Sequence, residues 1–169
     1  MRKVFFSSFL ALFLSIVSLR ALEVEITPRQ QAQLILRIVE QIRASRESVR
    51  ILVVPRDDRR CKLVIDEINH EKELFIGGES FPVQAEIFTG QALESSDIVL
   101  LANENHRVVP GAINIAFNEA HVDEGAAVGI VQVRDRLVIF LNSSSAKKLG
   151  ITFDFGLVKL SRIKSGSGL

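Results

Sequence analysis

One cysteine, Cys61, occurs in 169 residues, so no intramolecular disulfide can form, and the disulfide-stapled class of small exported domain is excluded. Histidine is nearly as scarce. His70, His106 and His121 are the only three, and no two share the i, i+3 or i, i+4 spacing that would set imidazoles on one helix face for a metal. The remaining metal reading is a site assembled from distant segments, with Asp123 or Glu124 beside His121, and it is weighed against the commoner surface loop histidine. The glycines that a nucleophile elbow would need are missing around Ser143, Ser144 and Ser145, and a helix N-cap accounts better for these serines. Gly125 and Gly129, in GAAVG, open a strand instead of the helix that a dinucleotide loop requires. There is no internal repeat and no low-complexity stretch. Together these absences leave no recognisable catalytic, metal or cofactor motif, and the expectation is a protein that is not an enzyme and carries no cofactor.

An excess of positive charge is lacking too. Without residues 1 to 21, which hold Arg2, Lys3 and Arg20, 18 basic face 20 acidic side chains, giving a net charge of −2. Such a surface has no general pull on nucleic acid, whose binding depends on neutralising several phosphates. The charge is uneven along the chain. Residues 43 to 62 carry seven basic and three acidic groups, residues 66 to 124 two and twelve, and residues 134 to 164 seven and two. An ordinary intermixed surface is the plain reading, and a polarised protein with one acidic face is its alternative.

What is present begins at the N-terminus. Met1-Arg2-Lys3 followed by the apolar and small residues 4 to 19 has the layout of a secretory signal, so residues 1 to 21 are expected to direct export to the periplasm. The run is shorter than the roughly 20 apolar residues of a spanning helix, and an uncleaved anchor is the alternative. Residues 22 to 164 are then expected to form a single α/β domain, followed by a frayed tail over 165 to 169.

Within the domain, Thr27-Pro28-Arg29-Gln30 has the form of a capping box with proline at the first helical position, and Ile35, Ile38, Val39 and Ile42 give a helical stripe running to about Ala44. The β-branched run Val49–Val54, stopped by Pro55, predicts a strand buried on both faces. Asp57 and Asp58 offer caps to a helix whose inward stripe is Cys61, Val64, Ile65 and Ile68, which makes Cys61 a core residue. Gly77-Gly78 is a turn, residues 81 to 88 and 98 to 102 are strands, residues 103 to 111 are a loop, and residues 112 to 117 are a short strand. Val128–Val133 and residues 137 to 141 flank Arg134-Asp135 as a hairpin, with a short helix, Ser143–Leu149, ended by Gly150. Extended chain is expected to Phe153 and helix from Asp154 onward, with Leu157, Leu160, Ser161 and Ile163 on it. The expected fold is therefore a mixed sheet of about five to seven strands flanked by helices, closing in a β-hairpin followed by a helix.

Arg56, Arg59 and Arg60 follow the carboxyl end of the Val49–Val54 strand, where α/β sheets bind ligands, and they are the candidate ligand- or partner-binding residues. A solvated charged turn is the plainer account of the same three residues.

The order of features in the C-terminal third resembles the YfiR family of periplasmic regulators. Gly125 and Gly129, the strand end LVIFLN over residues 137 to 142, Ala146, Gly150-Ile151, and Leu157, Val158, Lys159 and Leu160 carry this resemblance. The first helix and the strands at 49–54 and 98–102 also fall where the family would put them, so the similarity spans most of residues 28 to 164. It implies an inhibitory binding protein that holds a membrane-bound diguanylate cyclase inactive by engaging its periplasmic sensor, or a related sensor module of a signalling kinase. It implies no catalysis. A periplasmic small-molecule sensor or solute-binding domain is the alternative. Self-association as a twofold dimer suits a small interaction domain, although nothing in the sequence specifies the interface.

Overall fold

The computed structural model describes residues 27 to 165 apart from 46, 95 and 135. The expected signal segment and residues 166 to 169 of the expected tail lie outside the described residues. The first helix, α1 (Pro28–Glu40), starts on the capping box that the sequence predicts. The Gln30 amide donates to Thr27 Oγ1 at 3.2 Å, and the Thr27 amide donates to Gln30 Oε1 at 3.0 Å, an arrangement worth about 1 kcal/mol. Its apolar stripe buries Ala32, Ile35, Leu36, Ile38 and Val39. The helix stops at Glu40, short of Ala44, because Ile42–Arg43 leaves as a short strand, β1, which pairs with β9 (Thr152–Phe153). A second helix, α2 (Asp58–His70), is capped by Asp57, whose Oδ1 accepts the amides of Arg59 at 3.0 Å and Arg60 at 3.4 Å.

The remaining strands are β2 (Val49–Val54), β3 (Glu73–Ile76), β4 (Glu79–Ile87), β5 (Ile98–Leu101), β6 (Ile113–Ala116), β7 (Val128–Val133), β8 (Arg136–Asn142) and β10 (Ser161–Lys164). They form one eight-stranded mixed sheet in the order β10-β8-β7-β6-β5-β2-β4-β3. β4, β2, β5, β6 and β7 run parallel, β3 pairs antiparallel with β4 and β8 with β7, and β10 lies parallel to β8. Short helices α3 (Glu119–Asp123), α4 (Ser143–Leu149) and α5 (Phe155–Leu160) complete the chain.

Alternation along the central strands divides the core in two. Ile51, Val53, Ile98, Leu100, Ile113 and Ile115 face α1 and α2, joined by Ala146 of α4, Ile151 and Leu157 of α5. Leu52, Val54, Val99, Leu101 and Ala116 face the other way, where loop residues Leu93, Val108, Val109, Ala112 and Ala126 cover them with Phe88. One face is therefore roofed by helices and the other by loops. Cys61 lies in the first core, as its spacing predicts. No helix among the described residues is long and apolar enough to cross a membrane.

Several expectations need correction. Asn142, and not one of the serines, caps α4, its Oδ1 accepting the Ser145 amide at 2.9 Å. The capping carbonyl oxygen comes from the last residue of β8, so one side chain joins strand to helix. The terminal helix ends at Leu160, and Ile163 lies in β10, which forms because Ser161 and Ile163 alternate in register with Ile139 and Leu141 of the β8 edge. Three further strands have no local signal in the sequence. β3 is a four-residue edge whose pattern is plain only beside β4, and the two-residue β1 and β9 exist only as partners of each other.

Candidate functional site

From β2 the chain leaves through α2 on the helical face, whereas from β5 it leaves through residues 102 to 112 on the opposite face. Adjacent parallel strands whose connections diverge in this way open a crevice at their carboxyl ends, which is where ligands bind in open α/β sheets. Arg56 stands on one lip, just after β2. Its Nη2 lies 3.6 Å from Oε1 of Glu104 on the other lip, with 70% and 59% of the two side chains exposed. A pair that open adds little stability and leaves both charges available to an incoming group.

The lip after β5 is held in place from below. Asn114 of β6 is buried, accepts the Val109 amide at 2.9 Å, and donates to the carbonyls of Val109 at 2.8 Å and Ala112 at 2.9 Å. All of its amide hydrogen-bonding groups are thus spent on one loop. Asn103 makes the turn at the loop start, accepting the amide of Asn105 at 3.0 Å on its side chain and that of His106 at 3.1 Å on its carbonyl. The His106 ring donates from Nδ1 to the Arg107 carbonyl at 2.9 Å and meets Phe88 edge-on, with centroids 6.2 Å apart. The crevice rim is therefore built in advance of any partner.

The three candidate arginines do not act together. Arg56 reaches across the crevice, Arg59 is exposed on the first turn of α2, and Arg60 turns toward α1, where its Nε donates to Gln31 Oε1 at 3.5 Å. The cleft between α1 and α2, of about 320 Å³, is a separate feature lined by Arg29, Gln33, Asp66, Glu67, His70 and Glu71 over a floor of Ala32 and Leu36. No three His, Cys, Asp or Glu side chains among the described residues converge to hold a metal ion.

Sequence reasoning missed the polar groups buried elsewhere. Asp97, 3% exposed at the amino end of β5, accepts two hydrogen bonds from Arg50 of β2, through Nε at 3.0 Å and through Nη2, and the Glu94 amide at 2.7 Å. Burial pushes the Asp97 carboxyl up, but the Arg50 hydrogen bond, the Glu94 amide and the Arg50 charge together outweigh it and hold the group below the usual carboxylate range. Arg50 also donates to the Ala92 carbonyl at 2.9 Å, so the node fastens the loop between β4 and β5. His121, expected on a surface loop, is instead buried in α3, with Nδ1 3.0 Å from Asn118 Nδ2 while Asn118 Oδ1 takes the His121 amide at 2.8 Å. Neither Asp123 nor Glu124 joins it in a metal site among the described residues; Asp123 and Glu119 instead serve Lys164. Their carboxylates each lie 2.7 Å from Lys164 Nζ of β10. Hydrogen bonds to Asp123 and then Glu119 raise the Lys164 ammonium above the ordinary lysine range. The one signal that could have exposed Asp97 is its place directly before a wholly apolar strand, since an acid there needs a partner.

No family model and no curated protein matches the sequence. Among solved structures, the chain is similar to a conserved domain protein from Vibrio cholerae O1 biovar El Tor, at 13% identity and a TM-score of 0.47, over 80% of this chain. It spans 59% of that protein's length.

Proposed function

We propose that the chain is a periplasmic regulatory binding protein of YfiR type, which represses a membrane-bound diguanylate cyclase by contact with its periplasmic sensor. The observation that carries the reading is the preformed rim at the carboxyl ends of β2 and β5, where exposed Arg56 after β2 faces exposed Glu104 on the loop that Asn114 fixes. A contact inhibitor needs a surface ordered beforehand, because ordering it on binding subtracts from affinity, and it shifts its partner only by its differential affinity for one state. Further support comes from the residues that carry the resemblance, which hold the C-terminal unit together. A Cβ on Gly129 would fall 2.3 Å from Val122 Cγ2, Asn142 ties β8 to α4 and donates to the Val122 carbonyl at 2.7 Å, and Gly150 ends α4 at φ 65°.

Intracellular cyclic di-GMP is the deciding readout. Deleting the gene should raise it, and restoring the gene should return it to its starting level. Unchanged cyclic di-GMP under several growth conditions would remove cyclase repression. A second reading, a small-molecule sensor, draws on the crevice lying at a ligand-bearing strand edge. Thermal shifts across amino acids, nucleotides and organic acids test it, and a flat panel would discard it.

A further inference from the structure

Of the seven large apolar side chains that stand well exposed among the described residues, four lie within nine residues at one end of the sheet: Phe155 (70%), Val158, Leu160 and Ile163 (53%). The first three are on α5, which turns Leu157 into the core and leaves them outside. Ile163 is on β10, the terminal strand of the sheet, and no strand among the described residues pairs with its outer edge. An open edge beside exposed apolar groups is a template for another strand, and soluble proteins ordinarily blunt or cover it.

We propose that this face is covered by a second copy of the chain, with β10 pairing antiparallel to its counterpart about a twofold axis through Ile163. A twofold perpendicular to the sheet keeps like faces together. The parallel register of β10 on β8 sets Ile163 beside Leu141 on the helical face and Arg162 and Lys164 on the other. Pairing at Ile163 therefore puts the two isoleucines side by side on the helical face and brings the exposed residues of both α5 helices toward each other. One operation closes the edge and shields the apolar cluster.

Charge selects this register over its neighbours. A shift by one pair sets Arg162 against its own copy or Lys164 against its own copy, and like charges directly opposed are destabilising. Pairing at Ile163 instead sets Arg162 opposite the second copy's Lys164. That ammonium is already held by Glu119 and Asp123, both at 2.7 Å and both more than half exposed, so the three groups carry one net negative charge. The exposed Arg162 guanidinium thus meets an acidic cluster. An anionic membrane or an acidic peptide would satisfy Arg162 and Lys159 but would leave the Glu119–Asp123 pair facing its own sign.

The test is sedimentation velocity of the protein isolated from producing cells, over a concentration series, with and without added salt. A dimer that dissociates on dilution and weakens with salt is the expected result. Ile163→Lys should weaken association by about a hundredfold or more, since it puts two lysines face to face on an edge, and Arg162→Glu by roughly tenfold through repulsion from Glu119 and Asp123. Both residues are exposed, so the fold should be unaffected, and circular dichroism checks this. Ile163→Cys should give a disulfide-linked dimer on mild oxidation, while Val133→Cys, exposed on the distant hairpin, should not. A monomer at every concentration would overturn the proposal, as would a dimer indifferent to Ile163→Lys or equal cross-linking at the two cysteines. So would a monomer that binds anionic vesicles or acidic peptides through Ile163. None of these results depends on cyclic di-GMP, so the dimer and cyclase repression stand or fall separately.

Discussion

The middle of the sheet and its β10 end invert the usual arrangement in opposite senses. Between β2 and β5 a carboxylate is buried, with Asp97 closed off by Arg50 and the Glu94 amide. At β10, apolar side chains are left in water, with Phe155 and Ile163 more than half exposed. Burying charge is tolerated only where every group is satisfied, and there it fixes one geometry, in this case the loop that leads into β5. Exposing apolar surface gains nothing within the chain. The two departures therefore mark different things: the first fastens a loop of the monomer, and the second offers a surface to something else.

The largest effect that would sharpen this contrast is on stability. Asp97→Ala should lower the unfolding free energy by about 3 kcal/mol in urea titration, the low end for a broken buried pair because the Arg50 side chain is about one-third exposed (32%). Lys164→Ala at the other end should cost much less, because both of its carboxylate partners are more than half exposed. Equal losses at the two positions would abolish the contrast. Next comes Gly129→Ala, whose new methyl would press on Val122 and should cost about 2 kcal/mol by overpacking, with much of the loss restored in the Val122→Ala double variant. A lack of rescue would place the defect in the backbone of β7 and not in its packing against α3.

The two regions should also separate by pH. The depressed Asp97 carboxyl contributes stability fully above the usual carboxylate range and loses it as pH falls through the lowered value. Asp154 behaves likewise, held down first by the Gly156 amide and then by Arg43. Lys164, shifted upward, contributes below the ordinary lysine range and loses its share as pH rises through the raised value. Urea midpoints against pH should therefore show an acid limb that Asp97→Asn flattens and an alkaline limb that Lys164→Met flattens. Exchange of these assignments would contradict the geometry. The smallest expected change in stability is at the rim. Arg56→Ala should shift unfolding by no more than about 0.5 kcal/mol, as its pair with Glu104 is open to solvent. If the regulatory reading is right, the same variant should nonetheless raise cyclic di-GMP toward the level of the deletion.

Most of the architecture is legible in the sequence. Thr27 to Gln30 announced α1, β-branched residues announced β2, and Gly150 announced the end of α4, because caps, runs and left-handed terminators act over a few neighbouring residues. The candidate site was legible only in part. Arg56 follows the carboxyl end of β2 and pairs with Glu104, while Arg60 faces Gln31 of α1, 29 residues earlier, and that direction depends on how two helices pack. His121 gave no local sign of burial, since its shelter comes from the way α3 settles against β7 and β8.

By itself, then, the sequence determined the helices, the apolar strands and the alternation that makes an α/β sheet, all of which follow from periodicity and capping within one segment. Tertiary structure alone decided that Arg50 closes on Asp97 across 47 residues, that Asn114 fixes the rim, that Ser161–Lys164 is an edge strand and not the end of a helix, and that its apolar side chains stay exposed. The physical reason is the same in each case. A charge, an amide or a strand edge is stable only beside its partner, and which partner arrives is set by strand order, on which local pattern is silent.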